Sequence, residues 1–368
     1  MRPPFPILVC AAAFASGAAL AGRATASPTA HASPVRRATF QARQEFSFAL
    51  PEGKQRLRAW LTMPQKDPNQ TVTDFVVESP YPYRIETDAD GNSFVYLEVA
   101  QPPRAFTVIE TFSVVRREQR GGADPAKTRP INDAERARFA RHLAANRNVI
   151  IDDDIRALAA TITGTETNPV VEAHKLYDWV LDNVDYWVKY PDKYKASGIG
   201  STSYCLTSRT GNCTDFHALW ASLARARGIP TQIIYGSFFK QELDGKDADQ
   251  SYHCWIEFYA PNLGWVPLDV AVADIYAGDF PTTKDNDEKV RLTTGDGYRG
   301  PDKARVAYYF GNLDERRVAW SRGRDLALAP RQSGEPVNAM PKAYVELDGT
   351  SIPDGAGWTR KLTFHEAH

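Results

Sequence analysis

The run Thr210-Gly211-Asn212-Cys213-Thr214-Asp215-Phe216-His217 constrains this chain more than any other stretch. Two shorter pieces follow it, Tyr252-His253-Cys254-Trp255 and Trp265-Val266-Pro267-Leu268-Asp269. A cysteine, a histidine and an aspartate in that order are what a thiol acyl-transfer reaction needs. The sulfur attacks a carbonyl carbon, the imidazole takes up and returns the proton, and the carboxylate holds the imidazole in one tautomer. Beyond Cys213, the residues Phe216, Leu219, Trp220 and Leu223 are apolar at helical spacing, and Gly228 and Pro230 end the run. Gly211 and Asn212 permit a tight turn just before it. Cys213 is therefore expected in the first turn of a buried helix, where free backbone N–H groups and the positive end of the dipole favour a thiolate. The same N–H groups could receive an oxyanion.

The other two pieces read as strands. Residues 251–259 and 264–270 are rich in aromatic and β-branched types, and Ala260-Pro261-Asn262-Leu263 between them is turn chemistry. His253 and Asp269 are equidistant from Pro261, so a hairpin centred there sets them opposite each other on one face. A slip of one residue would part them. Each residue has a bland alternative: a buried structural thiol for Cys213, a core histidine for His253, a turn-capping acid for Asp269. All three in register favour the chemical reading. His217, one helical turn past Cys213, is expected to be a supporting group, and Asp215 a partner of the helix dipole in the first turn. Trp255 and Trp265 are expected to wall the cleft and exclude water, although packing alone would also explain them.

These motifs, GNCTDFHALW, RARGIPTQIIYGSF and YHCWIEFYAPNLGWVPLDV, resemble the bacterial transglutaminase-like family of the papain-like Cys-His-Asp superfamily. The likeness covers roughly residues 169–320, about half of the chain, and three ordered motifs at matching spacing make it specific. It implies that Cys213 is the nucleophile, His253 the base and Asp269 the third member. Related enzymes can also use an aromatic donor upstream of the nucleophile to support the oxyanion; Tyr186 is the candidate here, with core packing as its alternative.

Composition excludes some partners. A net charge of -1 leaves no electrostatic footprint for nucleic acid or an acidic membrane. Residues 1–26 read as a secretory signal peptide: Arg2, an apolar run from Ile7 to Leu20, and Ala-x-Ala patterns at Ala19-Leu20-Ala21 and Ala24-Thr25-Ala26. That run is too short to span a bilayer, so the mature protein is expected to be periplasmic or secreted, with no stable membrane insertion. Removing the leader leaves Cys205, Cys213 and Cys254. If Cys213 is the reactive thiol, Cys205 and Cys254 either pair or pack as buried thiols. By strand alternation Cys254 is expected to point away from the catalytic face.

The expected architecture is α+β: an N-terminal β-sandwich followed by a transglutaminase-like (papain-like) α+β catalytic domain. After the leader come a linker (27–37), the sandwich (38–120), a second linker (121–130), the catalytic domain (131–320) and a C-terminal extension packed on it (321–368). The sandwich rests on short alternating segments and the Asp90-Gly91-Asn92 turn. Helices are expected over 133–143, 152–163 and 168–184, and an aperiodic loop over 189–203. Residues 273–300 read as polar surface, with 285–288 a solvated loop, 305–310 as a strand, and 343–347 as a final strand.

The function expected is an exported cysteine acyltransferase or hydrolase acting on a protein or peptide, with the thioester resolved by water or by an amine. No cofactor is expected. Without C-x-x-C or H-E-x-x-H, a zinc site is the weaker chemical rival. A non-catalytic peptide or cell-wall binding protein on the same fold is the alternative from another class.

Overall fold

Residues 37–49 and 105–117 alternate buried and more exposed positions, whereas 56–62 and 93–100 are largely buried on both faces, and these runs build two sheets. The computed structural model describes residues 34–367, so the expected signal peptide lies outside the described residues. Strands β1 (Arg37–Ala49), β2 (Arg56–Thr62), β3 (Gln70–Glu78), β4 (Tyr83–Thr87), β5 (Ser93–Ala100) and β6 (Ala105–Arg117) come first. Strand β4 is not marked in the sequence reading; it is an edge strand with mostly exposed residues, so no apolar face announces it.

A helical segment follows. Asn132 and Glu135 form a reciprocal cap on α1 (Asp133–Arg138), and the chain turns at Phe139 into α2 (Ala140–Leu143). Asp152 caps α3 (Asp153–Thr163) and Asn168 caps α4 (Pro169–Asn183). A two-residue strand β7 (Asp185–Tyr186) leads into a 3-10 turn at Trp187–Lys189. Then come α5 (Thr202–Ser208), the short β8 (Thr210–Gly211) and α6 (Cys213–Ala226). Strands β9 (Thr231–Phe238), β10 (Tyr252–Ala260) and β11 (Gly264–Leu268) are followed by α7 (Val270–Ala277), α8 (Lys284–Thr294) and α9 (Lys303–Tyr308). The chain ends with β12 (Arg317–Arg322), β13 (Ala343–Leu347), β14 (Thr350–Ile352) and β15 (Trp358–Ala367).

The sheets do not follow the expected boundaries. One has the order β15-β1-β6-β3 and the second β14-β13-β2-β5-β4. Their facing residues, among them Phe46, Phe48, Leu57, Leu97, Val108, Val345 and Trp358, form one core. The sandwich is therefore completed by residues 343–367. The C-terminal extension is not an addition to the catalytic domain: Thr39 pairs with Ala367 and Ala59 with Val345, so the two ends of the sequence share sheets. The expected final strand, β13, is followed by two more.

The third sheet, β11-β10-β9-β12, carries the site. Helix α6 packs on it and is buried along its whole first three turns, in a core shared with α3, α4 and α7. The even-numbered face of β1 serves both parts. Phe46 and Phe48 pack on the second sheet, whereas Phe40 packs with Phe239, Val318 and Trp320 of the site-bearing part. From Val35 onward the chain is one compact unit.

Three expectations after the hairpin fail. Residues 273–276, expected at the surface, are buried in helix α7, which packs on α4 and α6 in the core of the site-bearing part. Residues 285–288 lie in α8, started by Thr283 and Asn286, which cap each other. Residues 303–308 form a helix capped by Asp302, not a strand. Among the described residues no helix is long and apolar enough to cross a membrane.

Candidate active site

Cys213 is the first residue of α6. Asn212 caps the helix, accepting from the N–H groups of Thr214 and Asp215, and the Asp215 carboxylate in turn accepts from the N–H of Asn212 at 3.1 Å. Asp215 does more than face the dipole. It also accepts from the backbone N–H groups of Ser197 and Ser201 and from the Ser197 hydroxyl. The preceding loop is thereby tied to the turn that presents Cys213. A side chain at Gly211 would collide with Asp215, at 2.4 Å from its Cβ, which explains the glycine.

The hairpin delivers the other two groups with a register that differs from expectation. Ile256 pairs with Leu268 and Ala260 with Gly264, two residues away from pairing about Pro261. The turn is the cause: Pro261 and Asn262 are its central residues, Asn262 has φ +68°, and the N–H of Leu263 donates to the carbonyl of Ala260. A two-residue shift preserves faces. Asp269 lies just beyond the last ladder pair, where it caps α7 through Val272 N–H at 3.0 Å. From there its Oδ2 meets Nε2 of His253 at 2.7 Å.

His253 uses Nε2 for Asp269, which leaves Nδ1 for the Cys213 side chain, with which it interacts. Burial pushes the imidazole down, but the negative fields of Asp269 and Cys213 outweigh it, and its pKa stands at about 8. Cys213 is held well below the ordinary thiol range, first by a hydrogen bond from the Cys254 thiol and then by His253, against the effect of burial. Asp269 is driven below the usual carboxylate range by His253 and Arg317, which overcome its burial.

Cys254 does not point away from the catalytic face as expected. Helix α6 covers that side of β10 and brings Thr214 to it, so the sulfurs of Cys213 and Cys254 each lie 3.9 Å from the Thr214 hydroxyl. Cys205, Cys213 and Cys254 are all buried and free. His217 is beside them: its Nδ1 is 3.3 Å from Cys254 Sγ and its Nε2 is 3.6 Å from Asp269 Oδ1. Burial lowers its pKa to about 4, so it is neutral at pH 7.

Tyr186 reaches the nucleophile: its hydroxyl accepts from the Cys213 N–H at 3.2 Å. The backbone N–H of Tyr186 is fixed by Asp274 Oδ2 at 2.8 Å, and Asp274 is paired with the buried Lys189. The two tryptophans are not cleft walls. Trp255 is buried between Gly236, Ile234, Leu313 and Ala319, and Gly236 is a glycine because any side chain there would strike that ring. Trp265 packs at the other end of the hairpin with Phe139, His142 and Tyr259. Arg317 was not singled out in the sequence, since an arginine in a short strand carries no local signal. Its Nη1 donates to Asp269 Oδ2 at 2.7 Å. No group of three or more His, Cys, Asp or Glu side chains among the described residues is placed to hold a metal ion.

A cysteine at the start of a helix, facing a His–Asp pair carried by an adjoining antiparallel sheet, is the papain-like arrangement. Residues 156–270, which hold all three groups, match the model of the transglutaminase-like superfamily. An uncharacterised protein of Haemophilus influenzae is 26% identical over 336 residues, 84% of this chain and 86% of that one. Among solved structures, a proposed cysteine protease from Cytophaga hutchinsonii shares the fold at TM-score 0.51 and 16% identity, over 90% of this chain and 98% of that chain. The periplasmic domain of TgpA from Pseudomonas aeruginosa aligns at TM-score 0.33 and 19% identity, over 63% of this chain and 90% of that one.

Proposed function

We propose that this chain is an exported thiol hydrolase or acyltransferase that cleaves a peptide or glutamine-side-chain amide. The observation that carries the reading is the 2.7 Å Asp269–His253 hydrogen bond set against a depressed thiol at the tip of α6. The Cys213 thiolate adds to the carbonyl carbon and the C=O pair moves onto oxygen. The Cys213 N–H and the Tyr186 hydroxyl, already in contact, are the donors for that oxyanion. The imidazolium of His253 gives its proton to the departing amine or ammonia as the C–N bond breaks, leaving a thioester. Neutral His253 then takes a proton from a water adding to the thioester; collapse releases the carboxylic acid and restores the thiolate. An amine in place of water gives a new amide. Water is the favoured acceptor, because the two tryptophans expected to exclude it pack away from the thiol.

Cys213 and His253 are each only 3% exposed, so a peptide has to displace part of the wall to reach the sulfur. Helix α8 packs on both the 3-10 turn after Tyr186 and the one before Tyr252, and Asn286 Nδ2 donates to the Lys189 carbonyl at 3.2 Å. It is the element we assign to that wall. Export rests on the leader-like residues 1–26.

The test is incubation of the purified protein with an exported proteome and a labelled primary amine, with Cys213→Ala in parallel. New peptide termini indicate hydrolysis and label incorporation indicates amine transfer; both vanish in Cys213→Ala. Equal product from wild type and Cys213→Ala would end the reading.

A further inference from the structure

The carboxylate oxygen that orients His253 is shared. Asp269 Oδ2 accepts from His253 Nε2 and from Arg317 Nη1, both at 2.7 Å. Arg317 comes from β12, 48 residues further along the chain and outside the span that matches the superfamily. Its guanidinium is fully buried and fixed on three sides. Nε donates to Asp314 Oδ2 at 2.8 Å, and the plane lies 4.3 Å from the Phe238 ring and 5.7 Å from that of Tyr309. Arg317 pairs with Phe238 across the β12–β9 ladder, and Gly236 in β9 pairs with His253. The arginine and the histidine are thus carried by the two strands that flank β9 in one sheet and meet at one oxygen.

We propose that Arg317 is a positioning residue for His253: it fixes Asp269 Oδ2 in line with the imidazole and, by sharing its charge, sets how tightly His253 holds its proton. The inference rests on the Cys213–His253 reading above. A buried carboxylate facing a histidine alone would stabilise the imidazolium fully and make it a poor proton donor to a leaving group. A second cation on the same oxygen takes part of that field and leaves His253 able to release its proton. Arginine suits this role because its charge is permanent and its fork reaches Asp269 and Asp314 at once. Other charged or titratable groups surround the pair. His253 faces Cys213 of α6 and Asp269; Asp269 also faces His217 of α6, with Tyr177 of α4, Tyr186 and Cys254 nearby; Arg317 faces Asp314 and Tyr309, with Lys240 nearby.

The experiment titrates His253 directly by imidazole NMR alongside the pH dependence of kcat/KM, in Arg317→Gln, Arg317→Lys and the double variant Arg317→Gln/Asp314→Asn. Glutamine keeps a donor toward Asp269 but removes the charge, so the His253 titration and the alkaline limb should both move up by about one pH unit. Lysine keeps the charge, so both should stay at the wild-type position while kcat falls. The double variant relieves the buried Asp314 charge and should show the same upward shift with a recovered melting temperature. A merely structural arginine would lower the melting temperature and leave the His253 titration in place in all three; that result overturns the proposal, as does a downward shift in Arg317→Gln. Because the NMR titration needs no turnover, absence of activity would count against the thiol-hydrolase reading and leave the Arg317 result readable.

Discussion

Asp269 stands between two histidines, and its two sides behave differently. On one, His253 from the hairpin bonds Oδ2 at 2.7 Å; on the other, His217 from α6 approaches Oδ1 no closer than 3.6 Å. Both rings are buried. His253 nevertheless has its pKa raised to about 8, and that of His217 is lowered to about 4. Burial opposes the charged form in both. It is overcome only where the carboxylate is within hydrogen-bonding distance and a thiolate stands on the other side of the ring. One carboxylate therefore maintains a charged imidazole and a neutral one within the same core, and the first is suited to proton transfer while the second packs against Cys254.

Replacing His253 by alanine should break this contrast most severely, lowering kcat/KM roughly 10²–10⁴-fold in a peptide or amide hydrolysis assay. Asp269→Asn should come next, with a smaller loss and an alkaline limb moved below its wild-type position near pH 8, since the imidazolium loses its anion. Cys254→Ala should cost a few-fold. It removes a donor to the Cys213 sulfur, so the acid limb, and the pH at which iodoacetamide labels Cys213, should both move upward. His217→Gln should leave turnover within about tenfold of wild type, on the ordinary scale of a group that makes no proton transfer.

Stability should separate the two rings by sign. His217 titrates lower in the folded chain than its ordinary 6.5, so the unfolded chain binds a proton the folded one refuses; stability drops as pH falls from about 6.5 to about 4. His253 titrates higher than 6.5 when folded. Its contribution is complete below about 6.5 and is lost as pH rises through about 8. Melting curves of His217→Gln and His253→Gln across that range should each lose one of these slopes, and the same slope lost in both would contradict the assignment.

The legible part of the sequence was the part organised by short-range rules. The cap at Asn212, the apolar period after Cys213 and the turn at Pro261-Asn262 are local, and they brought His253 and Asp269 to one face even with the register two residues out. What failed depended on distant partners. Residues 303–308 are a six-residue helix, too short to display a period, with aromatics just after it that imitate a strand. Helix α7 is apolar nearly all round, so it shows no amphipathic pattern to mark it. Cys254 follows strand alternation, but alternation does not say that α6 brings the nucleophile to the face it occupies. Arg317 meets Asp269 only through β9 and β12, a juxtaposition no local pattern encodes.

Strand β1 lies between β6 and β15, and ten of its residues pair with the final ten of the described chain. During synthesis one flank of β1 therefore has no mate until residues 358–367 have been made. A product cut short before Trp358 would leave that flank open, with Phe40, Phe46 and Phe48 beside it, as a template for other chains. Strand β15 thus guards the flank of β1, and chains truncated just before Trp358 should aggregate even though every group around Cys213 is present.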